Sequence, residues 1–372
     1  MADKLQYTPF HRVIGGLALL ALSGCADTGY YLQSASGHIQ LMQAARPIDQ
    51  WLDDAQAPQA LKSRLLLARR IRSFAVTELG LPDNRSYQRY ADLRRRSAVW
   101  NVVAAGEYSL TLKTWCFPIT GCIGYRGYFD EAQARAFADL LRAQGLEANV
   151  YGVPAYSTLG WMNWAGGDPL LNTFIQYPEG ELARIVFHEL SHQVVYARDD
   201  TMFNESFATA VERLGSARWL ASMGSAAARE EYALFDARRR EFRALSLATR
   251  AALAAIYAED WPHAADQAAR TQAKAAAMQK FRDDYARLKL GWGGFGGYDA
   301  WVHGANNAAF AAQAAYDELV PGFEALFATG AANPARQWRS FYDAVRRLAE
   351  LPKAARHEAL LQPTIKMEAR GG

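Results

Sequence analysis

The segment Ile185-Val186-Phe187-His188-Glu189-Leu190-Ser191-His192-Gln193 carries the residue types with the most chemical content in the chain. Two histidines four positions apart on a helix lie on one face, one turn apart, so both imidazoles can reach a single metal ion. Glu189 sits beside them, offset around the helix, where it can reach a water at the ion without being a ligand. With seven histidines in the chain, chance would give roughly 0.007 occurrences of His-Glu-x-x-His, so we read the pattern as a metal site. His357-Glu358 is an internal control, because Leu361 stands where a second histidine would be. Apolar Ile185, Val186 and Leu190 pack the helix, which turns the histidine pair into a cleft.

Zinc, the ion such a pair suits, needs a third protein ligand and an open fourth position. The metzincin pattern would require Gly at 195 and His at 198, and the sequence has Val195 and Arg198. Asp199 and Asp200 follow the helix at once, in an expected loop. Glu205, in Asn204-Glu205-Ser206-Phe207-Ala208 at the start of the next expected helix, is the better candidate. A helix–loop–helix returns the chain antiparallel, and the twelve residues between His192 and Glu205 are enough for a turn plus entry. Asn-Glu-x-Phe-Ala resembles the third-ligand motif of the gluzincins, in many of which the spacer is longer. Glu212, seven residues further along the same face, is either a hydrogen-bond partner for a ligand histidine or a surface glutamate. Asn204 is a candidate for the same supporting role.

Hydrolysis of an amide also wants an electrophile for the tetrahedral oxyanion besides the metal. Tyr156, Tyr298 and His303 are candidates, since each lies in or near a Gly-rich or strand-end segment; packed polar or aromatic surface residues are the alternative for each. The segment 155–161 either offers an edge for peptide backbone or is an ordinary core strand. Glu107 and Asp168 are the candidates for holding a substrate ammonium, in the absence of a Gly-x-Met-Glu-Asn signature.

The remaining sequence must build the frame. The chain has 372 residues, 51% hydrophobic and 12% aromatic, with a formal net charge of +3, which excludes disorder and argues against a nucleic-acid partner. Residues 1–24 read as a signal segment: Lys4, His11 and Arg12 precede an apolar run over 13–22 that is too short to span a bilayer permanently. Leu22-Ser23-Gly24-Cys25 resembles the bacterial lipobox, which implies lipid on Cys25 and attachment to the cell envelope. Ala26 in place of Asp implies the periplasmic face of the outer membrane. Cys116 and Cys122 then form an even pair in an oxidising compartment, with Pro118 and Gly121 between them. We expect a disulfide closing a small loop, worth about 2–3 kcal/mol; a metal-binding pair is the alternative, without a neighbouring histidine.

Residues 25–60 read as a lead-in with short helices. In 61–224, an amphipathic helix over 61–79 places Leu67, Ala68, Ile71, Phe74 and Ala75 on one stripe and Arg69, Arg70 and Arg72 on a solvated face. Strands are expected over 99–103, 109–114 and 148–156. A helix over 131–144 stops at Gly145, and helices over 181–196 and 204–220 carry the metal residues. In 225–372, helices are expected over 226–257, 263–288, 305–315 and 337–351, with a glycine-dense turn over 291–297. Strands before and helices after residue 160 give an α+β pattern. It reads as a zincin-like catalytic core with a small N-terminal sheet, followed by a helical C-terminal region packed on it.

Several longer segments carry a resemblance to one family. They include Trp100-Asn101-Val102-Val103-Ala104-Ala105, Lys113-Thr114-Trp115-Cys116-Phe117-Pro118, Tyr125-Arg126-Gly127-Tyr128-Phe129, Ala155-Tyr156-Ser157-Thr158-Leu159-Gly160-Trp161 and Phe203-Asn204-Glu205-Ser206-Phe207-Ala208-Thr209. With the His-Glu-x-x-His segment, they resemble the bacterial predicted aminopeptidase family of lipoproteins over most of the mature chain. The resemblance implies a zinc-dependent peptidase with one Zn2+ held by His188, His192 and Glu205 and with Glu189 as general base, acting on a peptide while anchored through Cys25. The family's label itself rests on similarity, so it says more about the metal site than about the substrate. A zinc amidase or endopeptidase acting on cell-wall peptides is the alternative. So is a non-catalytic envelope protein whose zinc only holds the fold, which the base Glu189 argues against. Oligomeric state leaves no mark in the sequence.

Overall fold

A computed structural model describes residues 28–117, 120–160, 162–259, 261, 266–330 and 334–361. The expected signal segment and Cys25 lie outside them. Helix α1 (residues 28–44) leads into β1 (Arg46–Pro47), α2 (Ile48–Asp53) and α3 (Gln59–Thr77). Next come β2 (Arg89–Ala91), β3 (Val99–Gly106), β4 (Trp115–Phe117), β5 (Gly121–Ile123), β6 (Arg126–Tyr128), α4 (Glu131–Ala143), β7 (Leu146–Val153) and β8 (Leu170–Leu171). The rest is helical: α5 (Glu179–Ser191), α6 (Thr201–Ser222), α7 (Ala226–Ala258), α8 (Asp266–Gly291), α9 (Asp299–His303), α10 (Asn307–Ala315), α11 (Val320–Ala328), α12 (Pro334–Glu350) and α13 (Lys353–Leu361). The chain is α+β, with small sheets and a helical C-terminal region. No helix of the described residues is long and apolar enough to cross a membrane.

β3 is the centre of an antiparallel sheet in the order β6-β3-β7. Its side chains alternate between two apolar faces, as a strand covered on both sides requires. Val102 and Ala104 pack on Ala134, Ala138 and Leu141 of α4, while Val103 and Ala105 meet Ala308 of α10. Asn101, in register with Tyr151, shares the second face by the same period of two. A second sheet runs β1-β2-β8, and β4 and β5 form a hairpin. The segment 109–114 is not a strand: it contributes one bridge, Leu112 to Ala105. β6 already occupies that side of β3 from Trp100 to Val102, so little free edge remains.

The main core joins Leu65 and Ile71 of α3, Phe187 and Leu190 of α5 and Phe207 and Trp219 of α6 to Phe323, Phe341 and Leu360 of α11, α12 and α13. Leu41 of α1 and Ile48 of α2 enter the same core. A separate aromatic-rich core is closed by Phe242 and Leu253 of α7, Phe281 of α8, Val302 of α9 and Phe310 of α10. The C-terminal region therefore divides: its last three helices belong with α5 and α6, while α7 and α8 close the second core with α9 and α10, and the start of α7, at Ala228, joins the main core. Arg72 is a correction to the expected solvated face. It lies one turn past Ala68, on the buried side, and its guanidinium donates to the Ser86 carbonyl at 3.0 Å and to that of Asn84 at 2.5 Å.

Candidate metal centre

α5 ends at Ser191, short of the expected 196, and His192 is its C-cap. The cap keeps helical angles (φ −58°, ψ −21°), so the two imidazoles still share one face, with their Nε2 atoms 3.2 Å apart. α6 starts at Thr201 because Asp200 caps it, its side chain accepting from the Phe203 amide. Glu205 therefore sits one turn into α6, facing the end of α5. Asn204 fastens the connection: its side chain accepts from the Ala197 amide at 2.7 Å and donates to the Ala197 carbonyl at 2.8 Å. Glu205 Oε2 lies 3.2 Å from His188 Nε2 and 3.7 Å from His192 Nε2. One ligand atom from each of His188, His192 and Glu205 lies within 4.8 Å of the others, and the three could hold a metal ion.

The hydrogen bond on the far side of His188 supports that reading. Glu212 accepts from His188 Nδ1 at 3.1 Å, and a carboxylate there fixes the proton on Nδ1. The lone pair of Nε2 then points at a carboxylate oxygen and at a second imidazole nitrogen. Electron-rich atoms converging in a buried place are costly unless a cation lies between them. Burial alone would raise the Glu205 carboxyl, but the His192 and His188 imidazoles bring it down to about 2. Burial would pull the His188 imidazole down, yet the hydrogen bonds to Glu205 and Glu212 leave it well above its ordinary value, so a metal ion held there would take the place of a proton on Nε2. Burial raises Glu189, with the two imidazoles opposing and the charges of Glu205 and Glu212 adding to it. The two histidines are not equivalent: His192 Nδ1 is buried without a hydrogen-bond partner.

These groups open into a cavity of about 530 Å³ whose other walls are rich in aromatic rings. Tyr30 and Tyr31 of α1, Phe117 of β4, Phe129, Tyr125 and Tyr196 line it, together with Tyr316 at the end of α10. The Tyr316 ring stacks on His188, with centroids 6.4 Å apart. Burial, reinforced by the Glu205 charge, holds the Tyr316 and Tyr125 hydroxyls well above the ordinary phenol value, so both stay protonated donors. Sequence reasoning missed Tyr316. It follows an Ala-rich helix with no motif, and only the packing of α10 on the β3 face brings it here.

The other sequence candidates are distributed as follows. Tyr156 lines the cavity, with its hydroxyl 3.2 Å from His38 Nδ1. Tyr298 does not; it stacks on Phe242 in the second core, with centroids 4.0 Å apart. His303 is exposed at the end of α9 and does not line the cavity either. Asp168 is buried behind the wall, accepting from the Thr158 amide at 3.0 Å and hydroxyl at 2.7 Å, so it pins the loop after β7. Glu107 offers its carbonyl to Lys274 and Asn307, away from the cavity. Asp199 accepts from the Cys122 amide at 2.6 Å, and Asp200 meets His357 at 2.9 Å, so both alternative ligands are engaged elsewhere. Cys116 and Cys122 are disulfide-bonded across the β4–β5 hairpin. Residues 155–157 lie outside any strand, and they line the cavity.

No curated protein and no solved structure matches the chain. A family model does match, from residue 29 to residue 360, from the start of α1 to the last turn of α13 and across the whole cavity. The chain belongs to the family described as "Putative aminopeptidase".

Proposed function

We propose that this protein is a zinc-dependent peptide hydrolase of the cell envelope, an aminopeptidase in the sense of its family, with a zincin-like core around α5 and α6. One observation carries the reading: His188, His192 and Glu205 converge within 4.8 Å, in the same cavity as Glu189. Bound there, zinc would supply Lewis acidity for a carbonyl and for water. Among the described residues the Glu189 carboxylate has no hydrogen-bond partner, and it is free to take a proton from the attacking water and return it to the leaving amine. Its burial favours the protonated form and moves its basicity toward that task. Tyr316 is the neutral donor nearest in kind to an oxyanion partner, since it lines the cavity beside His188. Glu212 keeps the His188 ring oriented. Lipid on Cys25 would place the anchor three residues before α1, whose Tyr30 and Tyr31 line the cavity.

Endopeptidase or amidase action is a second reading, favoured by one observation. Among the described residues lining the cavity the carboxylates are Glu189 and Glu205, both already assigned, so an N-terminal ammonium has no third one. Paired peptides with free and acetylated amines separate the two. In either case Glu189→Gln keeps zinc and loses hydrolysis by about 10²–10⁴-fold. Wild-type rates in that variant would overturn the proposal.

A further inference from the structure

A row of alternating charges runs away from His188 through α5 and α6 to α7. Glu212 uses Oε2 for His188 Nδ1, at 3.1 Å, and Oε1 for Arg184 Nη2. Arg184 Nη1 reaches Glu181 Oε2 at 3.2 Å, one turn back on α5. Arg239 Nη2, on α7, donates to both oxygens of Glu181, at 2.6 and 2.7 Å. Side-chain exposure rises along the row, from 9% at Glu212 to 14% and 15% at Arg184 and Glu181 and 23% at Arg239. The dry end is the end at the histidine.

Buried ion pairs contribute little net stability, because desolvation offsets their attraction, and apolar replacements of similar size are often as good. What such a row does supply is orientation. A carboxylate with one oxygen on an imidazole and the other on a guanidinium cannot rotate or swing toward the cavity. The guanidinium is in turn held by Glu181, and Glu181 by Arg239 of α7, a helix that enters both cores.

We infer that Arg184, Glu181 and Arg239 are positioning residues of the metal centre: they hold Glu212 so that His188 presents Nε2 to the ion, and they tie that geometry to the seat of α7 on α5. The inference rests on the metal reading above. It extends the centre back along α5 and across to one further helix, α7, to residues that touch neither ion nor substrate.

The test is the zinc dissociation constant of the whole chain, measured by competition with a chromophoric chelator, alongside the melting temperature of the metal-free protein. Arg184→Met is expected to weaken zinc binding about 10–100-fold. Arg184→Lys, which restores a charge without the fork, should recover part of the loss, and it serves in its place if the Met variant does not fold. Arg239→Met, two ion pairs further out, should weaken binding about 3-fold. Phe281→Leu, in the α7–α8 core, controls for general destabilisation: it should lower the melting temperature and leave zinc affinity unchanged. Zinc affinity within twofold of wild type in Arg184→Met or Arg239→Met, or an equal loss in Phe281→Leu, would overturn the inference alone. A wild-type chain that binds no zinc would overturn the metal reading and this inference with it.

Discussion

On one wall of the cavity, His188, Glu189, His192 and Glu205 come from a single helix–loop–helix, α5 and α6. The second wall is the aromatic part of the lining: Tyr31, Phe117, Phe129, Tyr156 and Tyr316 come from segments scattered from α1 to the end of α10. The first wall is charged, and its members are fixed by one another and by Glu212 and Arg184. The second is neutral, and other parts of the fold fix it: the disulfide of the β4–β5 hairpin, the His38–Tyr156 contact, and Asp168 behind the 157–160 loop. The difference separates two kinds of information. Ligation needs donor atoms a few ångströms apart, which one turn of helix supplies locally. Shape and water exclusion need surfaces that only tertiary packing brings together.

If the division of labour is right, damage to the two walls should have different signatures. The largest effect on the aromatic wall is expected for Tyr316→Phe. It removes one donor and nothing else, so zinc binding should persist while kcat/KM falls about 10²–10³-fold. Full activity in that variant would assign oxyanion binding to another group and leave the wall a purely steric one. A smaller effect, read as stability, is expected at Asp168. Burial, opposed by the hydrogen bonds from Thr158 and reinforced by the Glu189 charge, moves its carboxyl from 3.8 up to about 6. A raised folded pKa favours the protonated form, so this contribution to stability is intact below about pH 4 and is lost as pH rises through 6. Asp168→Asn keeps the acceptor for Thr158 and does not ionise. Urea unfolding at pH 4 and pH 7 should show the variant gaining about 2 kcal/mol on wild type over that interval. A constant difference at both values would mean that Asp168 ionises freely in the fold.

The legibility of the sequence follows the same line. His188, Glu189 and His192 are readable because helical period alone puts them on one face. Glu205 is readable because α5 and α6 are neighbours in sequence and pack directly on each other. Glu212 needed the structure to choose between support and surface, since two turns of helix say which face it shares but not that His188 and Arg184 meet there. Tyr298 and His303 were suggested by glycine-rich surroundings, but those glycines shape the turn after α8, which belongs to the second core. Gly293 and Gly294, with φ of +68° and +87°, make that turn. Tyr316 carries no local mark. In the fold, the helices are legible from their periodicity, and α4 stops beside Gly145 at φ +80° as its sequence suggests. The segment 109–114 alternates like a strand yet finds its edge taken, a competition that no single segment encodes.

The central claim is that three side chains from α5 and α6 hold one divalent cation. Its most direct test is the zinc content of the purified chain after equilibration with zinc and removal of the excess, compared with Glu205→Ala shown by circular dichroism to be folded. The account predicts one zinc per chain in the wild type and a clear loss in the variant. A folded wild type that retains no zinc, or a Glu205→Ala chain that keeps a full equivalent, would contradict it.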